Sequence, residues 1–380
     1  MKVTVAIDSL KGSLSSLEAG SAIAEGINKV YPDAQVCVRA LADGGEGTVE
    51  ALISGMGGEI QKIQVTGPAG RKIDCEYGIV EANMTGVIEM SAAAGITLVE
   101  GDERNPLYTT TYGVGEIIKD AIKKGCRRFV LGIGGSATND CGIGMLQALG
   151  FGMLDKDGNQ VAYGANGIKD IVKITTNQVI PELAECTFRI ACDVTNPLCG
   201  PNGASAIYGP QKGATPEMVT LMDGWIEKYA ALAKADFPKA NKDYPGAGAA
   251  GGMGFAFLAF TNAELESGIK IVLEETKMED YIKDADYVVT GEGRLDGQTV
   301  MGKAPIGVAH LAKKFDIPVL AFSGCVTKDA VACNEAGIDA FFPILRAAVS
   351  LEEAMATENA RNNMVDTVEQ AFRLIKTVSK

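Results

Sequence analysis

Short hydrophobic runs alternate with helical patterns at both ends of the chain. Ser15 followed by Glu18 is a capping-box signature for a helix that runs to about residue 30, and a last helical pattern covers residues 351–378. Alternation of strands and helices is typical of a parallel sheet with helices on both faces. Runs rich in β-branched residues predict the strands of this sheet at residues 3–7, 35–39, 287–290, 319–322 and 340–342.

The middle of the chain follows a different order, because its first two strand patterns come close together. We interpret this part as a second α/β domain that is inserted into the first. The predicted domains are residues 1–64 plus 284–380 for the outer domain and residues 65–283 for the inserted one. The patterns predict strands at 72–80, 86–89, 128–133 and 187–191, and helices at 113–124, 218–234 and 263–275.

The topology of the outer sheet makes a prediction about ligand sites. Ligands of doubly wound sheets bind beyond the carboxyl ends of the strands, beside the point where the strand order reverses. If the order is the flavodoxin-like 2-1-3-4-5, the segments that leave these ends are residues 8–13, 42–48 and 291–299. All three segments combine carboxylates with glycines and hydroxyl groups.

Composition narrows the class of protein. The 380 residues are 47% hydrophobic, and 35 basic against 48 acidic side chains give a net charge of −13. We therefore expect no nucleic-acid partner and no membrane association. Nine cysteines without a CxxC pair indicate a reducing compartment, and the amino terminus lacks the pattern of a signal peptide, so we expect a cytoplasmic protein. The single histidine, His310, excludes a site built from several histidines.

Several loops have the composition of phosphate-binding loops. Backbone amides of glycines at 44, 45 and 47 can face an anion, and Asp43 and Glu46 can hold a metal, although a tight turn with solvated acids explains the same residues. Residues 132–140, "GIGGSATND", link a strand to a helix as phosphate cradles do, or turn there for packing alone. Residues 297–303 fit a P-loop, but Ala304 stands where that loop needs Ser or Thr.

Two further positions are candidates for acid-base or charge chemistry. Lys11 lies just before a predicted helix start, where a cation and the helix amides favour an anion. Asp193 and Asn196 follow a strand, and such a pair provides a base and a metal ligand or only an Asx turn ahead of Pro197.

The separated motifs together resemble one family, the type I glycerate kinases. The resemblance covers essentially the whole chain, and it implies phosphorylation of D-glycerate with ATP and Mg²⁺ as cofactors. It also implies a flavodoxin-like, doubly wound parallel sheet domain interrupted by an inserted α/β domain, with the active site in the cleft between them. The motifs that carry it are "DSLKGSLSS", "LADGGEGT", "RNPLYTTTYGVGE", "GIGGSATND", "CDVTNPLCGPNGA", "YGPQKGAT" and "GEGRLDGQT" followed by "GKAP".

The resemblance leads to expectations for single residues. For catalysis we expect Asp193 as base or metal anchor, Lys11 as a cation on the phosphoryl group, and Asp43. Substrate binding is expected from Arg294, Asp8, Ser9 and Asn196, with Arg71 and Arg104 as rivals of Arg294. Nucleotide and phosphate binding are expected from Gly134, Gly135, Ser136, Ala137, Gly44, Gly45, Thr48 and Lys303. The expected metal ligands are Asp43, Asp296 and Asp140.

Alternatives remain open at the level of the sequence. A kinase that phosphorylates the 3-hydroxyl, or one that acts on another small hydroxy acid, has the same loops. A non-catalytic nucleotide-binding sensor is the alternative of another class, although such a protein needs no base. Oligomeric state, including a homo-oligomer, and the pathway that supplies glycerate are not determined by the sequence.

Overall fold

The computed structural model describes residues 1–45 and 47–378. The strands are β1 Lys2–Ile7, β2 Gln35–Ala40, β3 Glu59–Thr66, β4 Lys72–Val80, β5 Thr85–Glu89, β6 Arg128–Gly132, β7 Gly152–Leu154, β8 Lys173–Thr175, β9 Thr187–Ala191, β10 Ala263–Glu266, β11 Tyr287–Thr290, β12 Arg294–Leu295, β13 Val319–Ser323, β14 Cys325–Val326 and β15 Ala340–Pro343.

The α-helices are α1 Ser16–Val30, α2 Thr48–Met56, α3 Ser91–Ala94, α4 Tyr112–Lys123, α5 Ile143–Ala148, α6 Ala165–Ile168, α7 Ala204–Tyr208, α8 Pro216–Asp236, α9 Ala249–Phe260, α10 Gly268–Glu275, α11 Met278–Ile282, α12 Ala304–Lys313, α13 Ala332–Glu335, α14 Leu351–Met355 and α15 Thr357–Val378. Short 3₁₀ helices are Glu81–Asn83, Ile96–Leu98, Gly101–Glu103, Pro181–Glu185, Pro210–Lys212, Thr299–Met301 and Lys328–Val331.

The chain divides into two compact units, and the second is inserted into the first. The first unit contains a sheet in the order β15-β13-β11-β1-β2, in which all pairs are parallel. Counted along the chain within this unit, that order is 2-1-3-4-5. The α/β class with a doubly wound parallel sheet is confirmed. The first unit is Met1–Asp43, Glu50–Met56 and Ile269 onward, and the second is Gly44–Val49 and Gly57–Gly268.

The core of the first unit follows from strand and helix periodicity. Strand β1 lies between two other strands, and its residues 3–7 are buried on both faces and apolar except for Thr4. Helix α1 begins at the predicted capping box of Ser15 and Glu18, with Ser15 accepting from the Glu18 amide at 3.2 Å. Its buried face packs against α15, and at Gly26 a Cβ atom would lie only 2.6 Å from the Val365 carbonyl oxygen.

The second unit has a mixed sheet in the order β10-β9-β6-β5-β4-β3. Helix α9 is apolar on every side and buried in this core, as expected for an internal helix. Near its start the backbone leaves helical geometry at Ala250, Gly251 and Gly252, whose φ angles are 53°, 69° and 92°. The Gly251 carbonyl accepts from the Cys141 amide at 2.9 Å. A Cβ atom at Gly251 would lie 2.1 Å from the Thr138 carbonyl oxygen. The glycines of α9 therefore allow this helix to lie directly on the loop that follows β6.

Some predicted elements were wrong or incomplete. Residues 263–266 form strand β10, parallel to β9, rather than the first turn of a helix, and only residues 268–275 are helical. The last predicted helix is broken at Ala356, whose ψ of 125° ends α14 before α15 begins. Strand β3 pairs with β4 in the second sheet, so the boundary that we drew at residue 64 falls inside a strand of the other unit.

The structure also bears on membrane association. Across residues 1–45 and 47–378, no helix combines the length and the apolar character that crossing a bilayer requires.

Candidate active site

A cavity of about 460 Å³ opens in the first unit beside the carboxyl ends of β1 and β11. This is the edge at which the strand order predicted a ligand site. Its walls differ in character, because one is charged and the other apolar. The charged wall is formed by Asp8, Lys11, Asp43, Glu292, Arg294, Asp296 and Lys303, together with the hydroxyl residues Ser9 and Ser13. The apolar wall is formed by Leu10, Ile344, Leu345, Leu351, Ala354, Met355 and Ala360.

Asp8 is the buried carboxylate of the charged wall. It follows the last residue of β1 and is only 4% exposed, with its amide donating to the Gly291 carbonyl at 3.0 Å. Burial, and then the negative charge of Asp43, raise the pKa of Asp8 to about 7. The Ser9 amide, which donates to Asp8 Oδ1 at 2.7 Å, and the charge of Lys11 act in the opposite direction. A carboxyl group in this state exchanges a proton near neutral pH.

The segment after Asp8 is a tight turn that carries Lys11 to the cavity. The amides of Leu10 and Leu14 each donate to the carbonyl of the other, at 2.9 and 3.1 Å, and Gly12 turns the chain between them with a φ of 77°. The Lys11 ammonium lies 3.7 Å from Asp43 Oδ2, and 58% of its side chain is exposed. The predicted pair of Lys11 and Asp43 is therefore brought together, with the cation open to solvent.

The segment after β11 supplies two carboxylates. Glu292 is 9% exposed and accepts from the Thr299 hydroxyl at 2.7 Å. Burial raises the pKa of Glu292, while the hydrogen bond from Thr299 and the charge of Lys303 oppose that rise. Asp296 Oδ1 accepts from the Gln298 amide at 2.9 Å. These contacts fix both carboxylates before any ligand is bound.

Two cations are held against these carboxylates. Arg294 lies in β12, which pairs with β14, and its Nε is 3.5 Å from Asp296 Oδ2 while 65% of the side chain is exposed. Lys303 Nζ lies 3.8 Å from Asp296 Oδ1 and 3.9 Å from Glu292 Oε2. At these separations the charges interact without short hydrogen bonds, so both cations retain donors for an anion.

The P-loop-like residues 297–303 adopt a different structure from a P-loop. Lys303 is the N-cap of α12, with Pro305 in the first turn, and the 3₁₀ helix Thr299–Met301 stands between it and β11. A P-loop lysine instead lies in a loop that leaves a strand directly. The predicted helix start after Lys303 is confirmed, and His310 is an exposed residue of the same helix.

The carboxylates of the cavity can serve a divalent cation only together with other ligands. In the part of the chain that the structure describes, no three His, Cys, Asp or Glu side chains are arranged to hold a metal by themselves. Mg²⁺ keeps several waters and uses one or two carboxylates together with substrate phosphates. The two predicted ligands that line the cavity, Asp43 and Asp296, fit that requirement. Glu46, which the sequence also offered for a metal, lies outside the described residues.

The predicted glycine loops of the second unit lie against one another. A Cβ atom at Gly132 would be 2.3 Å from the Gly44 carbonyl oxygen, and one at Gly44 would be 2.6 Å from the Ala191 Cβ. Gly134 lies beside Gly45: a Cβ atom at Gly134 would be 3.5 Å from the Gly45 Cα. At Gly132 and Gly44 the approach is too close for a side chain, whereas the distance at Gly134 is an ordinary contact. Gly134 and Gly135 are exposed, so this part of the predicted phosphate site has an open face.

Three residues predicted for ligand binding are instead occupied by the fold. The Ala137 amide donates to the Ala94 carbonyl at 2.8 Å, and the residue is fully buried. The Thr48 hydroxyl donates to the Gly45 carbonyl at 2.7 Å. Asp140 is fully buried, and its carboxylate accepts from Thr111 and from the Gly142 and Gly144 amides. These groups therefore have partners within the fold, and their roles at a phosphate or a metal stay predictions.

The predicted pair of Asp193 and Asn196 follows β9 in the second unit. Asp193 is exposed and accepts from the Gly268 amide at 3.2 Å, at the start of α10. The Asn196 amide nitrogen donates to the Asn202 carbonyl at 2.9 Å, and its oxygen accepts from the Tyr208 hydroxyl at 2.6 Å. Asn196 thus fixes its own loop with both ends of its side chain.

The two rivals of Arg294 also have other partners. Arg71 forms a two-pronged ion pair with Glu103. Arg104 donates to the Val99 carbonyl at 3.4 Å. Neither lines the cavity that contains Arg294.

Two functional candidates were not identified from the sequence. Glu292 lies in the quoted motif "GEGRLDGQT", but nothing in its spacing indicated that it would be buried. Lys212 lies in "YGPQKGAT" and is 1% exposed, with its ammonium donating to Ser136 Oγ at 2.7 Å and to the Thr138 carbonyl at 2.6 Å. A lysine between polar residues is normally solvated, so the sequence gave no reason to expect its burial.

Comparisons with known proteins agree with the motifs. The sequence model described as "Glycerate kinase family" matches residues 3–376. A protein of Haemophilus influenzae named "Glycerate kinase" is 46% identical over 99% of both chains. A protein of Escherichia coli K12 named "Glycerate 2-kinase" is 47% identical over 93% of both chains.

A solved structure extends this likeness to three dimensions. It comes from Salmonella typhimurium LT2, bears the provisional name glycerate kinase 2, and is 43% identical to this chain. The two superpose with a TM-score of 0.91 over 100% of this chain and 99% of the other. The chain therefore belongs to the glycerate kinase family.

Proposed function

We propose that this protein transfers the terminal phosphoryl group of ATP to the 2-hydroxyl of D-glycerate and forms 2-phosphoglycerate. Its family makes it a kinase, and a glycerate-phosphorylating one. The choice of the 2-hydroxyl is supported by the name of the Escherichia coli relative. The observation that carries the proposal is the cavity in which buried Asp8 lies among Lys11, Arg294 and Lys303.

Asp8 is the proton acceptor in this proposal. When the hydroxyl oxygen of glycerate bonds to the terminal phosphorus of ATP, the bond from that phosphorus to the bridging oxygen breaks and ADP leaves. The hydroxyl proton passes to a carboxylate oxygen of Asp8. A base works best when its pKa lies near the working pH, and burial brings the pKa of Asp8 to about 7. Asp193, the base expected from the sequence, remains the rival candidate, and its exposed carboxylate has no comparable burial.

Arg294 binds the carboxylate of glycerate in this proposal. Its guanidinium has a planar pair of donors that matches a carboxylate, and most of the side chain is exposed toward the cavity opening. Asp296 beside it restricts the orientation of the guanidinium. With the carboxylate fixed, rotation of the bound acid decides which hydroxyl reaches Asp8.

Lys11 and Lys303 are the cations that stabilise the negative charge of the phosphoryl group. Transfer of a phosphoryl group depends mainly on positioning and on charge stabilisation, so fixed cations beside the reacting oxygens lower the barrier. Lys303 is held by Asp296 and Glu292, whereas Lys11 is exposed and has Asp43 as its neighbour. As the sequence motifs suggest, we assign Lys11 to the transferring phosphoryl group and Lys303 to binding of the nucleotide phosphates; Asp43 beside Lys11 restricts the position of its ammonium.

The phosphates of the nucleotide bind to the open face of the glycine loops in this proposal. Gly134 and Gly135 are exposed and have no side chains that would keep an anion away from the backbone, and Gly45 lies beside Gly134. Ser136 adds a hydroxyl. Asp43 and Asp296 would hold Mg²⁺, which would neutralise phosphate charge when it is bound.

A substrate panel tests the proposed reaction. Release of ADP is measured with ATP and Mg²⁺ and with D-glycerate, D-lactate or 3-hydroxypropionate as acceptor. D-lactate keeps the 2-hydroxyl and 3-hydroxypropionate keeps the 3-hydroxyl. We expect D-glycerate to be the best acceptor and D-lactate to exceed 3-hydroxypropionate. Turnover with none of these acids, despite binding of ATP, would contradict the proposal and favour the non-catalytic sensor.

A further inference from the structure

Lys212 is a buried lysine that the proposed reaction does not use. It ends the 3₁₀ helix Pro210–Lys212, and Gly213 then turns the chain with a φ of 92° against the Arg104 carbonyl. The ammonium contacts a hydroxyl, Ser136 Oγ at 2.7 Å, and a carbonyl, Thr138 O at 2.6 Å. Burying an ammonium costs free energy, and these neutral acceptors offset that cost less than a contacting carboxylate does.

The contact with Ser136 has a chemical consequence. A hydroxyl group has one hydrogen to donate, and its oxygen accepts through lone pairs. Because Ser136 Oγ accepts from the ammonium, its own hydrogen is left to point elsewhere and becomes a stronger donor. Ser136 is 7% exposed and directly follows the exposed Gly134 and Gly135.

The surroundings of this lysine are buried and polar. Thr138 and Asn139 are fully buried, and in the described part of the chain Thr138 Oγ1 and Asn139 Oδ1 have no hydrogen-bond partner. Asp140, also buried, is the titratable group whose charge acts on Lys212 from the facing loop. Buried polar atoms without partners cost free energy and are few in native proteins, so two in adjacent residues set this loop apart.

We propose that Lys212 is a positioning residue that holds Ser136 as a hydrogen-bond donor to a phosphate group of the nucleotide. This inference rests on the proposed nucleotide site at the glycine loops. The phosphate would lie on the open side of Gly134, Gly135 and Ser136, with the ammonium behind the hydroxyl. Across the buried loop the two charges attract with little screening by water.

The protonation state of Lys212 should make phosphate binding depend on pH. Burial lowers the pKa of Lys212 to about 7, against the opposing charge of Asp140. The free protein therefore holds this charge below pH 7 and loses it above. A bound phosphate favours the protonated lysine, so affinity for an anion falls as the pH rises through 7 and proton uptake accompanies binding.

The test is the dissociation constant of ADP for the full chain at pH 6.5 and pH 9, with Lys212→Met and Lys212→Arg as variants. The exposed Lys228 in α8 provides a matched control, Lys228→Met. We expect Lys212→Met to weaken ADP binding about tenfold or more at pH 6.5 and much less at pH 9. Lys212→Arg keeps the charge and should bind ADP more tightly than Lys212→Met at both values. At each pH the dissociation constant of the variant is divided by that of the wild type, so that the effect of the ionisation of ADP itself cancels.

Ser136→Ala completes the test and serves if the lysine variants do not fold. Ser136→Ala should also weaken ADP binding. The double variant of Ser136→Ala and Lys212→Met should lose less affinity for ADP than the sum of the losses in the two single variants. Equal ADP affinity of wild type and Ser136→Ala, or an equal loss in Lys212→Met at both pH values, would overturn the inference. Failure of the wild type to phosphorylate D-glycerate would instead contradict the proposed function, because ADP binding is measured without the acceptor.

Discussion

Asp8 combines burial with a position beside two other carboxylates, and this combination distinguishes it from Asp193. Carboxyl groups with a pKa near neutrality occur at functional sites more often than elsewhere, because burial of an acid is otherwise selected against. The charge of Asp43 adds to the effect of burial on Asp8. Asp193, in contrast, is exposed and accepts a backbone amide.

Asp8→Asn removes the proton acceptor while preserving the size of the side chain. We expect kcat to fall by about 10²–10⁴-fold, the usual contribution of a general base. Asp33→Asn, in the exposed turn after α1, is the matched control and should leave kcat unchanged. Steady-state kinetics of Asp8→Asn and Asp193→Asn separate the two candidates. Near-normal turnover of Asp8→Asn together with a large loss in Asp193→Asn would return the role to Asp193.

Arg294→Ala tests the recognition of the acceptor. Loss of a charged, two-pronged contact with the carboxylate should raise the KM for D-glycerate about tenfold or more, and leave the KM for ATP nearly unchanged. Arg71→Ala is the comparison, since Arg71 is paired with Glu103. If Arg71→Ala raised the KM for D-glycerate as much as Arg294→Ala, the assignment of the carboxylate site would be wrong.

At the scale of the elements, close packing explains a glycine inside a helix. Gly26 lies in α1, where a Cβ atom would meet the Val365 carbonyl oxygen of α15 at 2.6 Å. Gly224 lies in α8 with no atom within 4 Å of such a position. The same substitution should therefore have opposite effects at the two sites.

Gly26→Ala should destabilise the protein by about 1–3 kcal/mol, because overpacking of α1 against α15 outweighs the gain in helix propensity. Gly224→Ala should stabilise it by up to about 1 kcal/mol, which is the difference in propensity between Gly and Ala. Calorimetric midpoints of thermal unfolding measure both changes. A higher midpoint for Gly26→Ala would show that the two helices separate more easily than the structure indicates.

Much of the element order could be predicted because strands and helices differ in period. The runs at 72–80 and 187–191 agree with β4 and β9, since alternation of apolar positions survives in the sheet. Residues 263–266 were predicted as helix because Ala, Glu and Leu favour helices, but pairing with β9 overrides that propensity. The polar character of β3 concealed it at the edge of the second sheet.

At the scale of the whole molecule, the site could be located from topology but not described in detail. Parallel strand ends and their order were sufficient to bring Asp8, Asp43 and Asp296 to one cavity. Burial of Asp8, Glu292 and Lys212 depends on elements distant in sequence, so spacing within a motif does not reveal it. For the same reason Ala137 and Asp140 were predicted as ligands although the fold occupies their polar atoms.

Asp8 also affects the pH dependence of stability. Its pKa is about 7 in the folded protein, against 3.8 for an ordinary aspartate, so between these pH values the folded state retains a proton that the unfolded state releases. Ionisation of Asp8 therefore lowers the free energy of unfolding progressively as the pH rises from about 4 to 7. Above pH 7 this loss of stability is complete and stays constant.

Asp8→Asn should accordingly stabilise the protein at pH 8 and have little effect on stability near pH 4. Thermal midpoints of wild type and variant at the two pH values measure this difference. Together with a loss of kcat, such a gain identifies a residue kept for function rather than for stability. Equal midpoints at pH 8 would mean that burial of Asp8 costs the folded protein nothing.

Phosphorus NMR of the product formed from D-glycerate, ATP and Mg²⁺ decides whether this protein phosphorylates the 2-hydroxyl. We expect a single new phosphate ester, 2-phosphoglycerate, with the wild type and a much slower appearance of the same signal with Asp8→Asn. Formation of 3-phosphoglycerate would contradict the proposed choice of hydroxyl. No new ester from the wild type would contradict the assignment of the reaction itself.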